Sequence, residues 1–413
     1  MKGWLLKLIN VIGLGYIGLP TALALATAGN EVVGTDYNRD LIETLSMGRT
    51  TFEENGLDTL FETALLKGIK FTNEYISTDF YIITVPTPYE KHNKKVDPSF
   101  ILSATIEVLN VCKKGTILVI ESTVSPGTIE RYVRPLIKEK GFLIGEDIHL
   151  VHAPERIIPG NMINELMTNS RTIGADSPEI GEKVKSVYST FCTGEIIVTD
   201  IRTAEMTKVV ENAYRDVNIA FANELAKICR SDEMDVYKII QIANKHPRVN
   251  ILSPGPGVGG HCISVDPWFL VGDYPGLANL ILTARKINDS MPEFVLERIS
   301  DIMIERDIRD ITRIGLYGLT YKEDIDDTRE SPTIQLVENM RLHLASGIKT
   351  YDPYINNKVL ENQYFDFDEF LNSVDIVVIM VAHSHIKQNL SKLHDKIILD
   401  TKNIVSFENV YKL

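Results

Sequence analysis

Short apolar runs recur along the first half of the chain, each followed by a longer stretch with helical spacing. Ile9–Ile12, Glu31–Asp36, Phe80–Val85, Thr116–Glu121 and His149–Val151 are rich in β-branched residues and read as strands. Strands alternating with helices imply a parallel sheet, so residues 1–196 read as one α/β domain. Near Thr203 the pattern changes. Ala204, Val209, Val210, Ala213, Val217, Ala220, Phe221, Leu225 and Ile228 recur at helical spacing. They predict a helix of roughly 26 residues, against a norm of about 12. Thr203 is placed to cap it, and Glu205 suits the positive end of its dipole. A second helix is predicted from Ser290-Met-Pro-Glu293, which has capping-box spacing and a proline in the first turn. Its apolar stripe is Val295, Leu296, Ile299, Ile302 and Met303. These helices make residues 197–305 a connector. The alternation then returns at Ile311–Tyr317, Ile348–Tyr351, Asp375–Met380 and Lys396–Asp400, giving a smaller α/β domain at 306–413.

Bulk properties narrow the function classes. A chain of 413 residues exceeds one ordinary core, and 44% hydrophobic with 24% charged residues is globular composition. A net charge of −13 excludes a general nucleic-acid surface, which needs clustered Lys and Arg. The apolar run Ile376–Ala382 is far short of the ~20 residues a bilayer span requires, so no membrane partner is expected. The apolar run within Met1–Lys7 leads straight into a glycine motif and reads as a first β-strand, not as a cleavable signal. Cys112, Cys192, Cys229 and Cys262 have neither paired nor metal-like spacing, which suits a reducing cytoplasm; no metal site is expected.

Val11-Ile-Gly13-Leu-Gly15-Tyr-Ile-Gly18 follows a predicted strand and opens a predicted helix at 16–28. Alone, such a triplet of glycines is a weak signal; here strand, turn, helix and a later acid occur in order. Gly13 permits the tight turn, Gly15 lets a pyrophosphate reach the backbone, and Gly18 lets helix and strand approach. Asp36 ends the next strand, where a carboxylate accepts from ribose hydroxyls and repels a 2′-phosphate, favouring NAD over NADP. A glycine turn without ligand is the alternative. The fold class is therefore α/β, with two Rossmann-like parallel-sheet domains joined by a long central helix. Thr84-Val-Pro-Thr-Pro88 and Glu121-Ser-Thr-Val-Ser-Pro-Gly127 also fall at strand ends. Their hydroxyls either bind ligand or form turns.

Ser253-Pro-Gly-Pro-Gly-Val-Gly-Gly-His-Cys262 is the most informative stretch. Its glycines preclude regular structure and suit a loop whose amides approach an anion or a reacting atom. It ends in a thiol, which amides and cations turn into a competent nucleophile, with Asp266 close behind. The other three cysteines fall in apolar patterns and read as core residues. Lys208 and Asn212, four apart, share one face of the long helix. Glu155, beside Arg156 at a strand end, is either a general base or half of an ion pair.

These segments resemble the UDP-glucose/GDP-mannose dehydrogenase family over nearly the whole chain. The matching motifs are Gly13–Gly18, Val85–Pro88, Glu121–Thr123, Pro154-Glu155, Ala204–Lys208 with Asn212, Gly259–Cys262, Gly318–Lys322 and Asp326–Pro332. Within the family, His152–Gly160, Asn244–Asn250 and Pro254–Cys262 are similar to the branch that oxidises UDP-N-acetylmannosamine. Val265 stands where enzymes acting on UDP-glucose carry Lys, which favours an N-acetylhexosamine. Asn55, Ala153 and Lys402 are further departures. The resemblance implies a four-electron oxidation of a C6 alcohol to a carboxylate by NAD, through a thioester on Cys262. Glu155, Thr123 and Asp266 would position or deprotonate the hydrolytic water, and Lys208 and Asn212 would stabilise oxyanion charge. Cofactor contacts are implied for Gly13, Gly15, Tyr16, Ile17, Gly18, Asp36, Arg39, Pro86, Thr87, Thr123 and Arg329. Substrate contacts are implied for Glu155, Arg156, Lys208, Asn212, Arg248, Gly255, Gly257, Gly259 and Lys322. Arg248 resembles an arginine that crosses a homodimer interface. The product would feed surface polysaccharides. Rival readings are UDP-N-acetylglucosamine or UDP-glucose as substrate, a one-step hydroxyacid-type dehydrogenase, and a non-catalytic NAD sensor. Neither of the last two explains the loop 253–262.

Overall fold

The structure is a computed structural model that describes residues 8–342, 346–407 and 410–413. The expected reading of Met1–Lys7 lies outside these. The chain divides into two compact units, residues 1–211 and 212–413.

The first unit holds an eight-stranded sheet of β1 (Ile9–Ile12), β2 (Val32–Thr35), β3 (Lys70–Thr72), β4 (Phe80–Ile83), β5 (Thr116–Ile120), β6 (Ile148–His152), β7 (Arg171–Ala175) and β8 (Ile196–Thr199). The spatial order is 3-2-1-4-5-6-7-8, and every pair is parallel except β6–β7. Its central strands are buried throughout, as expected when helices cover both faces. The second unit holds an all-parallel sheet of β9 (Ile314–Tyr317), β10 (Lys349–Tyr351), β11 (Gln363–Tyr364), β12 (Ile376–Ile379), β13 (Ile397–Asp400) and β14 (Val410–Lys412). Its order is 11-10-9-12-13-14. Both sheets thus reverse direction beside their first strand, which is where open α/β sheets bind ligands.

One local device occurs in both units. Gly13 turns at φ 91° and Gly318 at φ 98°, a region that side chains disfavour. Gly13 N–H donates to Thr35 O and Gly318 N–H to Tyr351 O, each at 2.8 Å. The next amide donates to the acid that follows the neighbouring strand: Leu14 to Asp36 at 2.7 Å and Leu319 to Asp352 at 2.6 Å.

The strands expected from the apolar runs are present, most of them trimmed at their ends. Ile311–Arg313, expected as strand, is a short 3-10 turn that precedes β9. The long helix runs Ile201–Ser231, longer than expected and spanning the boundary between the units. Its cap is Asp200, not Thr203: Asp200 Oδ1 accepts the Thr203 N–H at 2.9 Å and Oδ2 accepts its hydroxyl at 2.6 Å. Glu205 is not at work on its own helix dipole either. It is buried and accepts the Gly127 and Ile129 amides at 2.5 and 3.0 Å, closing the start of a neighbouring helical segment. The helix Met291–Glu305 begins at Ser290 as expected, but without a side-chain cap. Ser290 Oγ instead donates to Ile287 O and accepts from Lys227 Nζ, both at 2.7 Å. Among the described residues, no helix is long and apolar enough to cross a membrane.

Candidate active site

In the first unit, the ends of four consecutive strands gather the expected residues: Gly13 after β1, Thr84–Thr87 after β4, Glu121–Thr123 after β5 and Glu155 after β6. The glycines differ in what confines them. A Cβ on Gly18 would lie 1.8 Å from Gly13 O and 2.2 Å from Thr84 Oγ1, so this position is closed by the turn itself. A Cβ on Gly15 would meet nothing within 4 Å, so the backbone there faces open space. The helix Gly18–Thr27 starts at Ile17 without a side-chain cap. Leu19 and Thr21 N–H already donate to Gly15 O and Ile17 O at 3.1 Å and Pro20 has no N–H, so the amides before Leu19 are the ones placed to meet an anion. Both observations fit a dinucleotide pyrophosphate. Asp36 accepts from Leu14 N–H with one oxygen and from Asn38 N–H at 2.9 Å with the other. Each carboxylate oxygen keeps a second lone pair, and the two amides fix its orientation. Tyr16 rests against Phe52, ring centroids 4.4 Å apart, and Arg39 is exposed at the start of the helix Arg39–Ser46.

For three hydroxyls near the strand ends, turn formation is the reading the geometry supports. Thr84 donates to Ile12 O and Gly13 O, Thr87 to Thr123 O at 2.6 Å, and Ser122 to Val85 O at 2.7 Å. These bonds splice the β1, β4 and β5 edges together. Pro86 is exposed and Thr123 half-buried on the same rim.

Glu155 is buried and accepts the Ile157 N–H. Burial pushes its pKa up to about 7, and the charges of Lys208 and Arg171 hold it from rising further. Arg156 is paired elsewhere: its guanidinium meets Glu211 at 2.6 and 2.9 Å, Ser170 O at 2.7 Å and Thr172 Oγ1 at 2.9 Å. Glu155 is therefore not half of a pair with its neighbour. Next to it lies a cluster the sequence did not reveal. Glu121 accepts from Tyr188 at 2.7 Å, Thr21 at 3.1 Å and Arg171 at 3.4 Å, all buried, and burial raises its pKa.

In the second unit, Cys262 is exposed at the end of the glycine loop, whereas Cys192 and Cys229 are buried and Cys112 partly so. Asp266 opens the helix Asp266–Asp273, and its amide donates to Cys262 O at 2.8 Å. Asp266 Oδ2 accepts from Asn212 Nδ2 at 2.6 Å, both side chains buried. Asn212 Oδ1 in turn accepts from Arg215 at 2.5 Å. Lys208, also buried, lies one turn before Asn212 on the same helix.

The loop glycines serve a purpose beyond the expected exposure of amides. A Cβ on Gly259 would strike Glu330 O at 2.5 Å and Tyr321 Cβ at 2.6 Å, and one on Gly260 the Tyr321 ring at 2.7 Å. Gly257 faces Pro332 at 3.1 Å. These glycines let the loop press against residues 321–332, and Gly260 N–H donates to Arg329 O at 2.9 Å. Gly255 differs: its absent Cβ would lie 3.6 Å from Lys402 Nζ, bringing that ammonium to the loop. Lys322 is half-buried in the same segment. Arg329 is held in a bidentate pair with Asp327 at 2.6–3.1 Å, and Arg248 is exposed on the loop after Asn244.

The sequence matches the UDP-glucose/GDP-mannose dehydrogenase family in three consecutive parts: its NAD binding domain over residues 7–192, its central domain over 202–290 and its UDP binding domain over 315–407. A UDP-N-acetyl-D-mannosamine dehydrogenase from Methanocaldococcus jannaschii is 43% identical, covering 97% of this chain and 93% of that protein. An NDP-N-acetyl-D-galactosaminuronic acid dehydrogenase from Ralstonia nicotianae is 41% identical, covering 98% and 97%. The solved UDP-N-acetyl-mannosamine dehydrogenase of Staphylococcus aureus superposes with a TM-score of 0.88 at 41% identity, over 98% of both chains.

Proposed function

The chain belongs to the UDP-glucose/GDP-mannose dehydrogenase family, and from that premise we propose that it oxidises the C6 alcohol of UDP-N-acetylmannosamine to the carboxylate. Its cofactor is NAD. The observation that carries the proposal is the exposed Cys262 closing a glycine loop, with Asn212 and Asp266 joined directly behind it. When bound, NAD would supply the hydride acceptor, for the alcohol carbon first and, as a second molecule, for the carbon held on sulfur.

The chain's own groups do the rest. Cys262 adds through Sγ to the aldehyde carbon, because oxidation beyond an aldehyde first requires a nucleophile on the carbonyl. Lys208 and Asn212 stabilise negative charge on the substrate oxygen. After the second hydride has left, the carbon is a thioester. Water attacks it, Cys262 leaves as thiolate, and Glu155 takes the water's proton. A carboxyl with a pKa of about 7 is matched to that task near neutral pH. Thr123 and Asp266 orient the water. Gly13, Gly15, Tyr16, Ile17, Gly18, Asp36, Arg39, Pro86 and Arg329 hold the cofactor, and Thr87 does so through its main chain, its hydroxyl being committed to Thr123 O. Arg156, Arg248, Gly255, Gly257, Gly259 and Lys322 contact the UDP-sugar. Residues 1–196, 197–305 and 306–413 act as cofactor, connector and UDP-sugar segments.

The manno assignment draws on the relatives from Methanocaldococcus and Staphylococcus and on Val265. The Ralstonia relative makes the galacto-configured sugar the control substrate. A homodimer is proposed from the exposed apolar side chains Val210, Tyr214, Phe221 and Ile228, which recur at helical spacing along Ile201–Ser231. We place the enzyme in the cytoplasm, supplying a uronate for surface polysaccharide.

The test is NADH formed per UDP-N-acetylmannosamine consumed. Two per sugar, with net turnover abolished in Cys262→Ala, supports the thioester route. One per sugar with an unaffected variant refutes it in favour of a one-step dehydrogenase. No turnover, but two NADH from another UDP-N-acetylhexosamine, corrects the substrate alone.

A further inference from the structure

We propose that Asn223 is a positioning residue for the Cys262 loop, holding it through a chain of hydrogen bonds with a fixed direction. The inference rests on Cys262 being the nucleophile. Asn223 Oδ1 accepts the Gly255 N–H at 2.9 Å, and Asn223 Nδ2 donates to Asn288 Oδ1 at 2.8 Å. Asn288 Nδ2 donates to Asp216 Oδ1 at 2.8 Å and to Asp216 O at 3.0 Å. An amide N–H only donates and a carboxylate only accepts, so neither asparagine can flip without losing a bond at each end. Arg285 completes the chain. Its Nη1 meets Asp216 Oδ1 at 2.6 Å and reaches Ile263 O, next to Cys262, at 3.5 Å.

The chain thus touches the loop at Gly255 and again just beyond the thiol. Between those points lie Gly257 and Gly260 at positive φ, where a glycine backbone has most freedom to lose. Asn223, Asn288, Asp216 and Arg285 are each at most 1% exposed. A core that needed only to be filled would use apolar side chains, since buried ion pairs stabilise little against them. A polar chain bonded from one end to the other, with Asp216 Oδ2 and Arg285 Nε left without a partner, instead selects one arrangement of what it holds. For a thiol that must capture an aldehyde carbon, a displacement of about 1 Å is enough to cost on the order of a hundredfold in rate. The substrate aldehyde then escapes before sulfur adds.

The experiment measures NADH per UDP-N-acetylmannosamine in the full-length enzyme with semicarbazide present to trap released aldehyde. Wild type gives two and little semicarbazone. In Asn223→Ala the ratio falls towards one, semicarbazone appears and kcat drops at least about tenfold, while the KM for NAD stays within about threefold. Amide exchange in the peptide 253–262 quickens in parallel. Asn288→Ala keeps the Gly255 bond but unties the Asn223 amide nitrogen, so it gives the same change in smaller measure and serves if Asn223→Ala does not fold. A ratio of two with near-wild-type kcat in the folded variant overturns the positioning role. A wild type that itself yields one NADH overturns the nucleophile reading, which separates the two failures.

Discussion

Replacing Glu155 by glutamine removes an ionisation that the fold resists while keeping the side chain's size. In the folded protein burial holds this carboxyl at a pKa of about 7, against 4.5 for an ordinary glutamate. The raised value means that the fold favours the neutral acid. No cost arises below the unfolded value of 4.5; it grows as pH rises between the two and is complete above about 7. That span is worth about 3 kcal/mol at about 1.4 kcal/mol per pH unit, and about 2.5 kcal/mol of it accrues between pH 5 and pH 8. Glu155→Gln escapes this term. Its melting temperature relative to wild type therefore climbs by roughly 5–10 °C from pH 5 to pH 8, at about 2–4 °C per kcal/mol for a unit of this size. Differential scanning calorimetry across that range reads the effect. Comparing two pH values also cancels whatever glutamine does to Lys208 and Arg171 at both. A gap that stays flat with pH would refute the burial argument, and with it Glu155 as a base tuned to neutral pH. Wild-type hydrolysis should rise through pH 7 as the carboxylate forms, and the variant should lose that limb.

Gly15→Ala and Gly18→Ala separate ligand access from folding. The first meets no protein atom, so melting stays within about 1 °C while NADH affinity, followed by fluorescence titration, falls at least about tenfold as the methyl blocks the approach. The second collides with Gly13 O and Thr84, and costs about 1–3 kcal/mol in a melt before any ligand is added. Asp216→Ala leaves the buried Arg285 guanidinium paired with the more exposed Asp289 and unties Asn288, and should cost about 2–4 kcal/mol by denaturant titration. Arg156→Ala removes bonds to Glu211, Ser170 and Thr172 and should lower stability by about 1–3 kcal/mol in the same assay.

The residues that could be read from the chain were those whose role depends on local pattern. β4 is an unbroken apolar run, β1 is interrupted only by Asn10 and β5 opens on Thr116; all three are buried throughout, and the turn at Gly13 carries its chemistry within six residues. β7 escaped notice because it opens with Arg171, whose charge makes sense only beside Glu121, fifty positions away. Nothing in the sequence around Asp216, Asn223, Arg285 and Asn288 sets them apart from the wet faces of helices, because their partners lie far along the chain. Polar residues at helical spacing look alike whether they face water or one another. The glycine loop was legible as irregular and as ending in a thiol; the segment against which it leans was not.

That segment explains why two nearly identical turns lead to different structures. After Gly13 the chain enters a helix at once, so the start of that helix at Ile17 and Gly18 stands beside the turn that Asp36 holds. After Gly318 the same turn is held by Asp352, but the next helix waits until Pro332–Leu342. The intervening residues 319–331 form the wall that Gly259 and Gly260 touch, through Tyr321, Arg329 and Glu330. Delaying the helix moves its amide end away from the glycine turn and supplies a support for the loop of Cys262 in its place. A longer side chain at Gly259 or Gly260 would push that loop off its support, whereas one at Gly255 would meet only the flexible end of Lys402. The difference follows from what each glycine touches, so the tolerance of these positions to alanine should rank Gly255 above Gly260 and Gly260 above Gly259.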